Sequence, residues 1–443
     1  MIMSILPNIL FCLLFAIAIV FFVKNVRKLV RNIRLGKDEN TTDNKAQRWK
    51  NMLWIALGQQ KMTVRPISGI LHILVYLGFI IINIEMLEIV IDGIFGTHRV
   101  FAFLGSFYDV LIASFEVLAL LVLISVGVFW IRRNLLNISR FKKEELQNWA
   151  KKDGNNILYI ETILMLLFLT MNAADLRLQD LGVEGYIQAG SFPISSWISK
   201  LFTNFSAVTL IAIERCCWWL HIIGVLFFLN YLYYSKHLHI VLAFPNTYFA
   251  STRPQGALKV NQRVLEEVKL MLDPTADPFA IPVESATPPE KFGASDIFDL
   301  TWVQLMNAYT CTECGRCTDE CPANLTGKKL SPRNIMMKTR DRLEEVSKNI
   351  DTNKGKFQND NKQLLNDYIT PEELWACTSC NACVEACPVS INPLSIIMDM
   401  RQYLVMEESA APAELNTMMT NIENNGAPWA YSQADRLNWV NES

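Results

Sequence analysis

The sequence predicts a mostly α protein in two parts, a five-helix transmembrane bundle followed by a helical domain built around cysteines. Three observations predict it. The 443 residues are 51% hydrophobic and 19% charged, with a mean hydropathy of +0.20, too apolar for an ordinary soluble chain and far from a disordered one. The apolar residues crowd into the first 245 positions, in runs long enough to cross a bilayer. Eight of the eleven cysteines fall into two identical runs between Cys311 and Cys387. The chain divides accordingly into a membrane domain at 1–244, a proline-rich linker at 245–295 and a cysteine domain with a C-terminal tail at 296–443. A formal net charge of -2 argues against nucleic acid as a partner.

Five stretches reach the roughly 20 residues that a crossing needs: 5–23, 66–91, 106–130, 156–173 and 214–236. Lys24, Arg27, Lys28 and Arg31 follow the first stretch instead of preceding it, the reverse of a cleavable signal, so it reads as a span. Lysine and arginine set the orientation. Segments 24–65 and 131–155 hold eleven and seven, whereas 92–105 and 174–213 hold one and two. The N-terminus is expected outside, with the cysteine domain in the cytoplasm. The stretch 174–213 contains Gly182, Gly185, Gly190 and Pro193 and reads as an outer loop with a short interfacial helix.

Imidazoles are costly in lipid unless partnered or functional, and four of the five histidines lie in or beside spans. His221 and His239 are 18 residues apart. On one unbroken helix they would share a face, about 27 Å apart along the axis, with His237 pointing elsewhere. That pattern suits b-type haem, whose iron takes axial imidazoles. His72, at the matching depth on the second span, pairs with His239 as the ligands of an inner haem. For His221 two readings stay open: a second haem, with Met86 or His98 opposite, or a hydrogen bond to a quinone or a neighbouring helix. Quinone chemistry moves protons with electrons, so a carboxylate path among Glu85, Glu88, Glu116 and Glu161 is expected, whereas Asp92 and Glu214 read as interfacial acids near span ends. Glu116, mid-span, is the best placed to handle protons.

Cys311, Cys314, Cys317 and Cys321–Pro322 repeat as Cys377, Cys380, Cys383 and Cys387–Pro388. Three thiolates spaced by two residues wrap three irons of a cubane, and in paired runs the fourth cysteine ligates the other cluster. One [4Fe–4S] cluster is thus expected on Cys311, Cys314, Cys317 and Cys387, the other on Cys377, Cys380, Cys383 and Cys321. Zinc is the rival for a single C-x-x-C, and two full copies with trailing prolines oppose it. Cys321 and Cys377 are separated by 55 residues with charged, helix-favouring stretches, so this is a helical dicluster [4Fe–4S] ferredoxin-like domain. Pro332 and Pro371 are placed to start helices. Cys12, Cys216 and Cys217 lie in apolar segments and read as small buried hydrophobes. Neither a dinucleotide fingerprint nor a phosphate loop occurs.

The segment from His221 to His239, with Phe228, Tyr233–Tyr234–Ser235–Lys236 and Ile240, resembles the last span of the nitrate reductase gamma subunit family. His72 matches that family's first histidine on the second span, and Ile82 stands where the family has its other one. The stretches CTECGRCTDECPA and ELWACTSCNACVEACPV resemble the helical dicluster proteins related to heterodisulfide reductase and to C-type glycerol-3-phosphate dehydrogenase subunits. The combination is similar to membrane oxidoreductases that carry electrons from electron transfer flavoprotein to menaquinone. The resemblance implies a bacterial cytoplasmic membrane, haem b and a quinone. Such proteins continue into two cysteine-rich CCG domains, whereas this sequence stops at Ser443, which implies a separate CCG-domain iron–sulfur protein or the flavoprotein itself as donor. The alternative is an electron-transfer anchor for a complex of the heterodisulfide reductase kind.

Overall fold

The structure is a computed structural model that describes residues 2–136, 138–254, 256–275 and 291–440. Five helices are long and apolar enough to cross a membrane: α1 (Ile2–Ile33), α2 (Pro66–Phe95), α3 (Ser106–Asn134), α4 (Trp149–Asp180) and α5 (Ala207–Tyr231). Leu6, Val20, Ile70, Val110 and Val208 are exposed on their outward faces, the pattern of a bundle solvated by lipid. Inside, Phe11, Tyr108, Ile112, Phe115, Phe168 and Ile222 make one core. α2 packs on α3, α4 on α5, and α1 against both α2 and α5. Gly224 lets α4 approach α5, since a Cβ there would lie 2.8 Å from the Leu164 side chain.

The predicted fifth span differs in one decisive respect. α5 ends at Tyr231, a 3-10 turn covers Leu232–Tyr234, and Ser235 is extended (φ -111°, ψ 152°). A second turn leads into α6 (His239–Phe249). Side chains take over the backbone donors at this break: Ser235 Oγ accepts from His237 N at 3.1 Å, and Asp153 of α4 accepts from Lys236 N at 3.0 Å and from the Tyr231 hydroxyl at 2.6 Å. The single helix expected from His221 to His239 therefore does not exist, and the shared face drawn on it falls with it.

The cysteine domain is helical, and no named strand occurs among the described residues. Its main helices are α7 (Trp302–Thr310), α8 (Pro332–Thr352), α9 (Pro371–Trp375) and α10 (Pro393–Met406), followed by α11 (Ala413–Asn425). Pro332, Pro371 and Pro393 each occupy a first turn, where a missing N–H costs nothing. Thr301 and Thr370 form capping boxes with Gln304 and Glu373. The core of Leu300, Leu305, Ile335, Leu343, Ile396 and Met400 is continuous with Leu29, Leu238 and Leu242 of the membrane part. The first residues of the predicted linker belong to α6, a helix spans Gln262–Leu272, and positions 276–290 lie outside the described residues, as do 441–443 of the tail.

Candidate redox site

The two cysteine runs fold alike. Glu313 and Ser379, two residues after the first cysteine of each run, have φ of 57° and 56°; Gly315 and Asn381, two further on, have 77° and 61°. Glycine and asparagine are the residues that enter the left-handed region most cheaply. Short helices then carry the third cysteine of each run, over Arg316–Asp319 and Ala382–Ala386. The repeated backbone gives the two runs the same local geometry.

Cys311, Cys314, Cys317 and Cys387 line one cavity, together with Cys383 at its edge. Cys383 and Cys377 feel Cys321 and Cys380 as electrostatic neighbours. The fourth cysteine of each run thus lies beside cysteines of the other run. Burial pushes Cys311 and Cys383 up to about 12 and Cys387 to about 11, so protons must leave as iron binds. Backbone N–H groups point at sulfur, from Ser379 to Cys377 at 3.4 Å and from Ile391 to Cys387 at 3.3 Å. Arg316 and Arg140 act on Cys314, Arg340 on Cys311 and Arg401 on Cys377. Cations and amide donors around an anionic thiolate cluster favour its reduced form. The donor set fits two [4Fe–4S] clusters. Cys380 is exposed, whereas Cys311 and Cys387 are buried against the membrane part.

His72 and His239 come together: their ring centres are 6.4 Å apart. Two imidazoles on opposite sides of one metal, at a metal–nitrogen distance of about 2.0–2.1 Å, have ring centres about 6 Å apart. His239 Nδ1 is hydrogen-bonded to Lys236 O at 3.0 Å, which leaves Nε2 for a metal. His72 Nδ1 is buried without a partner. His237, expected to point elsewhere, stands 5.5 Å from the His239 ring because of the break at Ser235, with Nε2 3.8 Å from Glu161. His221 is placed differently. Its Nδ1 is 3.0 Å from Leu164 O and its ring neighbour is Phe168, while His98 stands beside Tyr186 and Asp175.

Comparisons with known proteins bear on the cysteines first. Residues 310–391 match the family described as 4Fe-4S dicluster domain. The chain is 29% identical to the probable iron-sulfur-binding oxidoreductase FadF of Bacillus subtilis, over 98% of this chain and 61% of that protein. It is 26% identical to the EtfAB:quinone oxidoreductase of Syntrophomonas wolfei, over 92% of this chain and 56% of that protein. Over 34% of its length it is 29% identical to one polypeptide of the dihydromethanophenazine:CoB–CoM heterodisulfide reductase of Methanosarcina mazei, covering 37% of that protein. The chain carries a dicluster domain, and its homologues include iron–sulfur and quinone oxidoreductases. It spans about three fifths of the length of the first two relatives. No solved structure matches it.

The dicluster domain is fastened to the bundle beside His239. Lys236, three residues before that histidine, places Nζ 2.7 Å from Glu313, which lies between Cys311 and Cys314. Arg340 pairs with the other Glu313 oxygen. Burial would raise the Glu313 carboxyl, yet Lys236 and Arg340 outweigh it and hold the group at about 2. The sequence does not reveal that the two residues pair, since an ion pair 77 residues apart leaves no periodic trace. Further ties are Arg333 to Glu145 at 2.7 Å, Arg316 Nη1 to Lys61 O at 3.0 Å and Asn32 to Tyr309 at 2.8 Å.

Removing one partner of a buried ion pair costs about 3–5 kcal/mol, so Glu313→Gln is expected to lower the Tm by roughly 10 °C. The depressed pKa means that the carboxylate's contribution is complete above the ordinary glutamate value of 4.5 and is lost as pH falls through about 2. The Tm difference between wild type and variant should therefore stay flat from about pH 8 to about pH 5. A difference that shrinks across that window would show that Glu313 is not held ionised.

At the far end of the bundle a cavity of about 400 Å³ is lined by Glu85, Glu88, Asp92, His98, Glu214 and Trp218, among others. Glu85 Oε2 and His98 Nδ1 are buried there without partners. Glu116 is occupied elsewhere. It accepts from Ile194 N at 2.8 Å, Ser195 N at 3.0 Å and Asn172 Nδ2 at 3.3 Å. That is a cap on the short helix Ser195–Ser199, so its depth reflects structure instead of the proton handling expected of it.

Proposed function

We propose that the chain is a membrane electron-transfer subunit that passes electrons from a cytoplasmic donor, through the dicluster domain and one haem b, to a membrane quinone. The observation that carries this reading is the short path between the two donor sets. Glu313 sits inside the first cysteine run and is ion-paired with Lys236, whose carbonyl orients His239 toward His72. When bound, the clusters and haem supply one-electron carriers.

The chain's own residues define where those carriers sit. Cys311, Cys314, Cys317 and Cys387 hold the cluster nearest the bundle, and Cys377, Cys380, Cys383 and Cys321 hold the outer one, which takes electrons in at exposed Cys380. His72 and His239 hold the haem. His221 also has Nδ1 bonded to a backbone carbonyl, that of Leu164, but its ring neighbour is Phe168 and not a second histidine, so one haem per chain is proposed. Quinone reduction consumes two protons with two electrons, and the far cavity gathers Glu85, Glu88, Asp92 and Glu214, with Glu85 Oε2 buried there without a partner. The arginine and lysine excess of the loops at the dicluster end supports a cytoplasmic position for that end and an N-terminus outside.

The name of one relative, EtfAB:quinone oxidoreductase, supports an EtfAB-type flavoprotein as donor and a quinone as acceptor. Similarity to part of a heterodisulfide reductase favours a second reading, with the same wiring serving a thiol–disulfide complex. Purified protein should contain about eight non-haem irons per chain and a b-type Soret band. Reduction by the flavoprotein should be followed by reoxidation with a naphthoquinone. Protein without cluster absorbance and without a reducible Soret band would overturn the proposal.

A further inference from the structure

We infer that the basic cavity between the end of α3 and the start of α4 binds a phosphate group, that of an anionic lipid headgroup. The cavity measures about 360 Å³, and its polar lining consists of Arg133, Lys142, Lys151, Asn134 and Gln147. These are three cations and two amides, with no carboxylate among the described lining residues.

Arg133 is held ready. Its Nη2 donates to Ala150 O at 2.9 Å, its guanidinium lies over the Phe141 ring at 5.7 Å, and its Nε is buried without a partner. Glycine at position 154 leaves room for it in this position, since a Cβ there would be 2.6 Å from the guanidinium carbon. The start of α4 adds a second, independent argument. This 32-residue helix has no side-chain cap and no acid in its first turn, and Lys151 and Lys152 stand there instead. A helix N-terminus carries partial positive charge and free N–H groups. Lysines at that end repel it, and a bound anion reverses the penalty. Of the nearby acids, Glu145 pairs with Arg333 and Ser331 and Asp153 accepts from Tyr231 and Lys236, while Asp153 and Glu313 also act on Arg133 electrostatically and exposed Glu144 lies in the same loop.

Free phosphate and a lipid phosphodiester share this chemistry, and the surroundings favour lipid. The cavity joins the ends of two spans, beside exposed Leu135, Leu136 and Trp149 and the Trp130–Tyr159 pair, which suit acyl chains and an interfacial belt. Basic pockets between spans at the cytoplasmic surface are the expected seat of anionic headgroups. The same loop grips the dicluster domain, through Arg140 O, Glu145 and Lys143. A lipid phosphate in the cavity would brace that grip.

The test uses the full chain, delipidated in detergent and titrated with phosphatidylglycerol, with phosphatidylcholine of the same acyl chains, or with inorganic phosphate, and read by native mass spectrometry. Phosphatidylglycerol should bind about tenfold or more tightly than phosphatidylcholine. Lys142→Gln/Lys151→Gln, at two exposed positions, should remove most of that preference, as should Arg133→Gln, with cluster absorbance per chain unchanged. Equal binding of the two lipids, or a preference untouched in the double lysine variant, would overturn the site. Inorganic phosphate displacing phosphatidylglycerol at equal concentration would overturn the lipid as its occupant.

Discussion

Cys387→Ala is expected to cost the protein one cluster and leave the other whole, with iron falling from about eight to about four atoms per chain. The informative step is the next one. Cys387 shares a cavity with Cys311, Cys314 and Cys317, which belong to the other run. Replacing those three cysteines as well should therefore remove no further iron, because all four serve one cluster. If each run held its own cluster, the combined variant would lose both. Cys380→Ala with Cys387→Ala gives the converse: crossed ligation predicts loss of both clusters, uncrossed ligation loss of one. Electron paramagnetic resonance of the reduced variants separates these outcomes.

His72→Ala should abolish the Soret band while both cluster signals persist. The effect is expected to be complete, since an axial imidazole removed from a buried site has no water to replace it. His237 is the rival ligand, with its ring 5.5 Å from that of His239. The geometry disfavours it: Nε2 faces Glu161 at 3.8 Å, whereas the His72 and His239 rings stand at the spacing of a shared metal. His237→Ala should therefore keep its haem. Haem retained in His72→Ala, or lost in His237→Ala with His72 intact, would reassign the ligand.

These expectations show what the sequence made legible. The dicluster domain was readable because each cysteine run is local: a spacing of two residues and a repeated turn need no distant information. The spans were readable by length alone. The pairing of His72 with His239 was found, yet by an argument that fails, since it ran α5 straight through Ser235. Three polar side chains, Ser235, Asp153 and Tyr231, decide that break, and one of them comes from another helix. Glu116 misled for a related reason. Depth in a span is visible in sequence, whereas the two backbone N–H groups that occupy its carboxylate arrive from residues 194 and 195. The Lys236–Glu313 pair was invisible altogether.

That pair, with the shared core around Leu29, Leu238 and Leu242, has a kinetic consequence. A domain sewn down on several sides does not swing between a loading and an unloading position, as tethered shuttle domains do. The tunnelling distance to the membrane is then a constant of the fold. On the proposed function, electron transfer within the chain should be indifferent to solvent viscosity, and any viscosity dependence of turnover would belong to the encounter with a partner.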